Sequence, residues 1–82
     1  MNVKVLYFAS LKEALGVGGE SVELPADVAT VGALRDWLVA QGRDKLSSAK
    51  HLRCAVNQEL TGLEAPVGEG DEVAFFPPVT GG

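Results

Sequence analysis

Reactive side chains are scarce in this sequence. It holds one Cys, one His, one Tyr and one Trp, and aromatic residues make up 6% of the chain. A single cysteine excludes an internal disulfide and any four-cysteine zinc or iron–sulfur centre within one chain. Basic charge is short as well: 7 Lys and Arg stand against 11 Asp and Glu, a formal net charge of −4. Nonspecific binding to nucleic acid or to an anionic membrane needs a basic surface, so neither is expected. No apolar run approaches the roughly 20 residues of a membrane span. The opening Met1-Asn2-Val3-Lys4-Val5 lacks the basic and long apolar regions of a secretory leader. With a lone Cys54, which suits a reducing compartment, these absences point to the cytoplasm. A chain so poor in nucleophiles and general bases is not expected to be an enzyme on its own. It is expected to work through a partner.

What is present suits one small domain. The 82 residues are 46% hydrophobic and 22% charged, the balance of a globular chain large enough to need no staple. We expect a single domain over residues 1–82, with a flexible C-terminal tail at 77–82.

The run from Val3 to Phe8 is β-branched and aromatic, with Lys4 as its one charge. It reads as a central strand, apolar on both faces. Ser10-Leu11-Lys12-Glu13 fits a capping box opening a short helix, with Leu11, Ala14 and Leu15 on one face and Gly16 ending it. Glu20 to Leu24 alternates strictly and reads as a second strand with one wet face, stopped by Pro25. Thr30 is a good N-cap for the main helix, expected at residues 31–41 with Val31, Leu34, Leu38 and Gln41 on its buried stripe and Gly42 as C-cap. Trp37 lies beside that stripe as a packing residue. The polar stretch 43–50 reads as a loop with a helical turn. Leu52, Cys54 and Val56 alternate in a third strand, Asn57-Gln58 turns into a short fourth near Leu60-Thr61, and Glu72 to Phe76 is the last. The economical packing is α+β: a mixed sheet of about five strands on one main helix, with a short helix besides. The first and last strands, being the most apolar, belong side by side at the sheet centre. That is the β-grasp arrangement.

Most candidate chemistry has a plain structural reading. Cys54 alternates with Leu52 and Val56, so it should face the core as a poorly reactive thiol. His51 has no metal-ligating companion and reads as a surface residue, and no metal site is expected. Gly18-Gly19 lacks the context of a phosphate loop and reads as a turn. Glu69, Asp71 and Glu72 read as a solvated face, with steering of a basic partner as the alternative.

The ending, Phe75-Phe76-Pro77-Pro78-Val79-Thr80-Gly81-Gly82, does carry chemistry. Glycine has no Cβ, so Gly81-Gly82 is the slimmest peptide that can thread a narrow channel, and it offers an unhindered carboxylate. Pro77-Pro78 fixes φ and lacks N–H donors, so the tail leaves the sheet stiffly and loses less entropy on insertion. Successive residues of a strand point to opposite faces, so one of Phe75 and Phe76 faces outward. We assign Phe75 to that role, forming a partner interface with Phe8.

The blocks VKVLYFASLKEALG, LRCAVNQEL and GDEVAFFPPVTGG, in this order across nearly the whole chain, resemble the small subunits of molybdopterin synthase. These are ubiquitin-like sulfur carriers of molybdenum-cofactor biosynthesis. A Gly-Gly end alone also admits ubiquitin-like modifiers, the thiamine-pathway sulfur carrier and a plain β-grasp binding module. The Phe-Phe-Pro-Pro-Val-Thr-Gly-Gly block favours the molybdopterin branch. The resemblance implies that an adenylating enzyme, similar to ubiquitin-activating enzymes, uses ATP to join AMP to the carboxylate of Gly82, and that the carrier binds no permanent cofactor. It implies that a persulfide donor then converts that adenylate to a thiocarboxylate. It also implies that Pro77, Pro78, Val79, Thr80 and Gly81 carry Gly82 into the large synthase subunit, within a heterotetramer, to sulfurate cyclic pyranopterin monophosphate.

Overall fold

Side-chain alternation decides which face each strand buries. In the computed structural model, which describes residues 1–48 and 52–77, β1 (Asn2–Tyr7) turns Val3, Val5 and Tyr7 into the core and leaves Asn2 and Lys4 in solvent. The chain then enters α1 (Ser10–Leu15) through Ala9 at φ 54°. This kink overturns the expected capping box. Ala9 takes the N-cap position, no side chain caps the helix, and Ser10 already lies in the first turn. The N–H groups of Leu11 and Glu13 donate instead to the carbonyls of Phe8 and Ala9. Six residues make fewer than two turns, so Leu11 is buried and Leu15 half-buried, while Ala14, expected beside them, is exposed. Gly16 ends the helix in the left-handed conformation at φ 79°, as expected.

β2 (Gly19–Glu23) pairs antiparallel with β1. Leu24 falls just past the strand but remains buried. The main helix, α2 (Val31–Ala40), starts where Thr30 predicts, its Oγ1 accepting the N–H of Ala33 at 3.1 Å. The N–H groups of Val31 and Gly32, orphaned at a helix start, donate to the carbonyls of Ala65 and Leu63. Val31, Leu34 and Leu38 are fully buried, and Trp37 packs half-buried against the same core. Gln41 is not on the stripe. It is exposed and forms the C-cap, with Gly42 one position beyond at φ 106°.

The polar stretch after α2 contains one turn of helix, α3 (Lys45–Ser48), which buries Leu46 to 1% exposure. β3 (Arg53–Val56) and β4 (Glu59–Thr61) form a hairpin whose turn residues, Asn57 and Gln58, both have positive φ, at 49° and 72°. Two positive φ values match the twist of the flanking strands. β5 (Glu72–Phe76) completes the sheet in the order β2-β1-β5-β3-β4. β1 and β5 run parallel at its centre, as their apolar character predicts, and the remaining pairs are antiparallel. One face of the sheet joins α2 and Leu46 in a core whose buried side chains, among the described residues, are all hydrophobic.

Candidate docking face and tail root

The other face of the sheet carries a row of apolar side chains not covered by a helix among the described residues. Strand register places Leu6 beside Ala74, Ala74 beside Ala55 and Ala55 beside Leu60, so these four form one row across β1, β5, β3 and β4. Leu60 is 71% exposed and Phe8, the residue after β1, is 48% exposed. Leu6, Ala74 and Phe76 are half-buried. At the β2 edge a Cβ on Gly19 would come within 2.9 Å of Leu6 Cδ2 and 3.0 Å of the Val5 carbonyl, so the missing side chain leaves Leu6 room to lie over β2. The result is an apolar patch bordered by Lys4 and Arg53, a form typical of interaction surfaces.

Contrary to the expectation from sequence, the outward phenylalanine of β5 is Phe76. Phe75 does not face outward: its side chain is fully buried and shares the core with Tyr7, its register partner on β1. The alternation along β5 starts from Val73, also fully buried, so Phe75 follows it inward and Phe76 turns toward the patch. Phe8 holds its expected exposed place. Pro77 follows directly, half-buried at the end of the central strand. Pro78, Val79, Thr80, Gly81, Gly82 and His51 lie outside the described residues.

On the core side, below the root of the tail, is an interaction that sequence reasoning missed. The Tyr7 hydroxyl donates to Glu20 Oε2 at 2.6 Å, and Arg43 grips both carboxylate oxygens of Glu20 through Nε and Nη2. Arg43 also donates from Nη1 to the Gln41 carbonyl at the end of α2. The guanidinium holds the Glu20 carboxyl below its ordinary pKa. Burial, reinforced by the carboxylate, pushes the Tyr7 hydroxyl well above its ordinary value. Glu20 and Arg43 are 23 residues apart, and no local spacing rule connects them.

Cys54 faces inward as expected, 3% exposed, with Sγ 3.2 Å from the Thr61 carbonyl. Desolvation raises its thiol pKa, so little thiolate forms. The acidic cluster is less free than a solvated face. Asp71 accepts from the Gly68 N–H at 2.7 Å and from Asn57 Nδ2 at 3.0 Å, which lowers its carboxyl pKa. Glu69 accepts from the Asn2 N–H at 2.9 Å. Both brace the loop before β5. Among the described residues, no three metal-ligating side chains come together and no helix is long and apolar enough to cross a membrane.

A mixed five-stranded sheet with its first and last strands parallel at the centre, a long helix on one face and an apolar patch on the other defines the ubiquitin-like class of small carrier and modifier proteins. Its backbone matches that of SAMP1 from Haloferax volcanii with a TM-score of 0.83, at 32% identity over the whole of both chains. Residues 5–82 match the ThiS family, and the chain belongs to it. The molybdopterin synthase sulfur carrier subunit of Escherichia coli is 48% identical over 98% of this chain and 99% of that protein. A complex of subunits 1 and 2 of the molybdopterin-converting factor from Helicobacter pylori contains a chain that matches all of this one at 26% identity, with a TM-score of 0.68.

Proposed function

We propose that this chain is the sulfur carrier of molybdopterin synthase, with its reactive group at the main-chain carboxylate of Gly82. The observation that carries the reading is full-length likeness to the sulfur carrier subunit of Escherichia coli, in a family match that runs through Gly82 itself. The scarcity of reactive side chains agrees with it, because the chemistry is located in the main chain.

A carboxylate is a poor electrophile. Attack of the Gly82 carboxylate on the α-phosphate of ATP, in the site of an adenylating enzyme, releases pyrophosphate and makes AMP a leaving group. The outer sulfur of a persulfide donor displaces AMP to give an acyl disulfide. A second thiol attacks its donor-side sulfur, ending as a disulfide with the donor and releasing the thiocarboxylate. The thiocarboxylate is nucleophilic at neutral pH without a neighbouring base. Pro77 and Pro78 stiffen the root of the tail, and Val79, Thr80 and Gly81 carry the sulfur into the active site of the large subunit. There it is given to cyclic pyranopterin monophosphate. Two sulfurs per dithiolene call for two carriers per product, which agrees with a heterotetramer acting in the cytoplasm. Phe8, Phe76, Leu6 and Leu60 dock the large subunit and leave the tail end of the sheet against it.

The test is intact-mass analysis after incubation with ATP, the adenylating enzyme and a sulfur donor. An oxygen-to-sulfur shift confined to the C-terminal peptide is expected. Deletion of Gly82 should abolish it while leaving the unfolding midpoint unchanged. Persistence of the shift in the deletion variant would refute the site.

A further inference from the structure

The docking face carries its charge unevenly along the strands. Where β1 and β5 begin, register places Glu23 beside Asn2 and Glu72 beside Lys4, with Glu69 and Asp71 in the loop just ahead. At the tail-bearing end the face holds Phe8 and Phe76, and directly beside Phe76 stands Arg53. Arg53 is exposed. Arg35 is paired with Asp36 and Arg43 with Glu20, whereas Arg53 has no ion-pair partner among the described residues. In a chain of net charge −4, an unpaired guanidinium sits at the rim of the apolar patch, next to the strand that launches the tail.

We propose that Arg53 is a partner-recognition residue that docks a carboxylate of the large subunit beside the mouth of the tail channel. This rests on the reading of the sheet face as the docking surface. Covering the patch brings Arg53 to the edge of the interface, where a charge left unpaired is penalised and one met by a carboxylate gains a forked, two-bond contact. The acidic end of the face opposes that contact. A partner turned end for end would find there only Lys4, whose charge is offset by Glu72 beside it and by Glu23, Glu69 and Asp71 close by. Arg53 therefore fixes the direction in which the carrier lands, with the tail toward the active site, and the partner's carboxylate lies outside the channel that receives the tail.

The experiment uses thiocarboxylated carrier and the intact large subunit, and compares the native chain with R53K, R53A, R53E and F8D. Dissociation constants are read at several salt concentrations, with KM and kcat for sulfur transfer. Arg53 projects from the surface, so unfolding midpoints should match across its three variants. R53E is expected to raise Kd and KM about tenfold or more with kcat unchanged, R53A to raise them less and to flatten the salt dependence, and R53K to restore part of the loss. Binding of R53E as tight as the native chain, while F8D fails to bind, would overturn the role of Arg53 and leave the docking face standing. Native binding by both R53E and F8D would instead refute the docking face itself.

Discussion

Two phenylalanines close together at the tail end of the sheet should respond to truncation in opposite ways. Phe75 is 0% exposed and packs among Tyr7, Val73 and the α2 side chains, so Phe75→Ala deletes a whole ring from a closed core. Such a cavity costs about 3–5 kcal/mol. A chain of this size has on the order of 4–12 kcal/mol in all. At roughly 4–8 °C per kcal/mol, the melting temperature of Phe75→Ala should fall on the order of 20 °C. Phe8 is 48% exposed. About half of a ring area of roughly 200 Å² is thus left to bury on docking. At ~25 cal/mol per Å² that corresponds to about 2.5 kcal/mol of binding, or up to roughly 70-fold in Kd. The half already covered contributes at most a similar amount, about 2.5 kcal/mol, to the folded state, still below the cost of the Phe75 cavity. Thermal and urea unfolding followed by circular dichroism, together with titration calorimetry against the large subunit, separate the two quantities. Phe75→Leu, which fills more of the cavity, keeps a folded sample available for the binding arm. The reasoning is refuted if Phe75→Ala melts within a few degrees of the native chain, or if Phe8→Ala binds the large subunit with unchanged affinity.

Other expectations follow from the polar contacts. Because the Glu20 carboxyl is held below its ordinary value of 4.5 by Arg43, its contribution to stability is complete above that pH and is lost progressively below it, as pH falls through the lowered folded-state value. The native chain should therefore lose more stability than Glu20→Gln between pH 6 and pH 3, measured by urea unfolding. At neutral pH, Glu20→Gln should cost about 1 kcal/mol, since partial solvent exposure of Arg43 screens the pair. The Cys54 thiol should react with a disulfide reagent only at the rate of unfolding, and rapid labelling under native conditions would contradict its burial. Gly19→Val should disturb the Leu6 end of the patch by direct overlap, weakening large-subunit binding with a smaller loss of stability, as the same calorimetry and melting would show.

Much of the architecture was legible because local signals agreed with one another. Thr30, the Val31–Leu34–Leu38 spacing and the positive-φ pair Asn57-Gln58 each marked an element where it stands. The apolar character of the first and last strands was enough to place them together at the centre. The misreadings arose where a distant neighbour decides. Ser10 was a fair cap by type, but the kink at Ala9 starts the helix one residue too early for it to serve. Leu46 is a single apolar residue in a polar stretch, and only tertiary contact reveals that α3 closes the core over it. Phe75 and Phe76 are chemically identical. Choosing between them needs the phase of β5 against Val73, which a five-residue apolar strand does not display in its own pattern. The Glu20–Arg43 pair joins β2 to the end of α2, a proximity that exists only once the helix has crossed the sheet.

The strand that bears the tail is also the keystone of the sheet. β5 is the last element among the described residues, yet it lies between β1 and β3 and supplies Val73 and Phe75 to the core. Emerging after them during synthesis, it leaves the earlier strands without their shared middle partner until then, and its pairing with β1 closes a loop from Tyr7 to Glu72, a slow step. Folding and possession of a tail root are thereby the same event. A product truncated before Glu72 lacks the central strand, exposes two unpaired edges and is open to proteolysis before it can occupy a partner. The fold thus checks the chain as far as β5 and no further, and only copies synthesised that far present the apolar patch in assembled form.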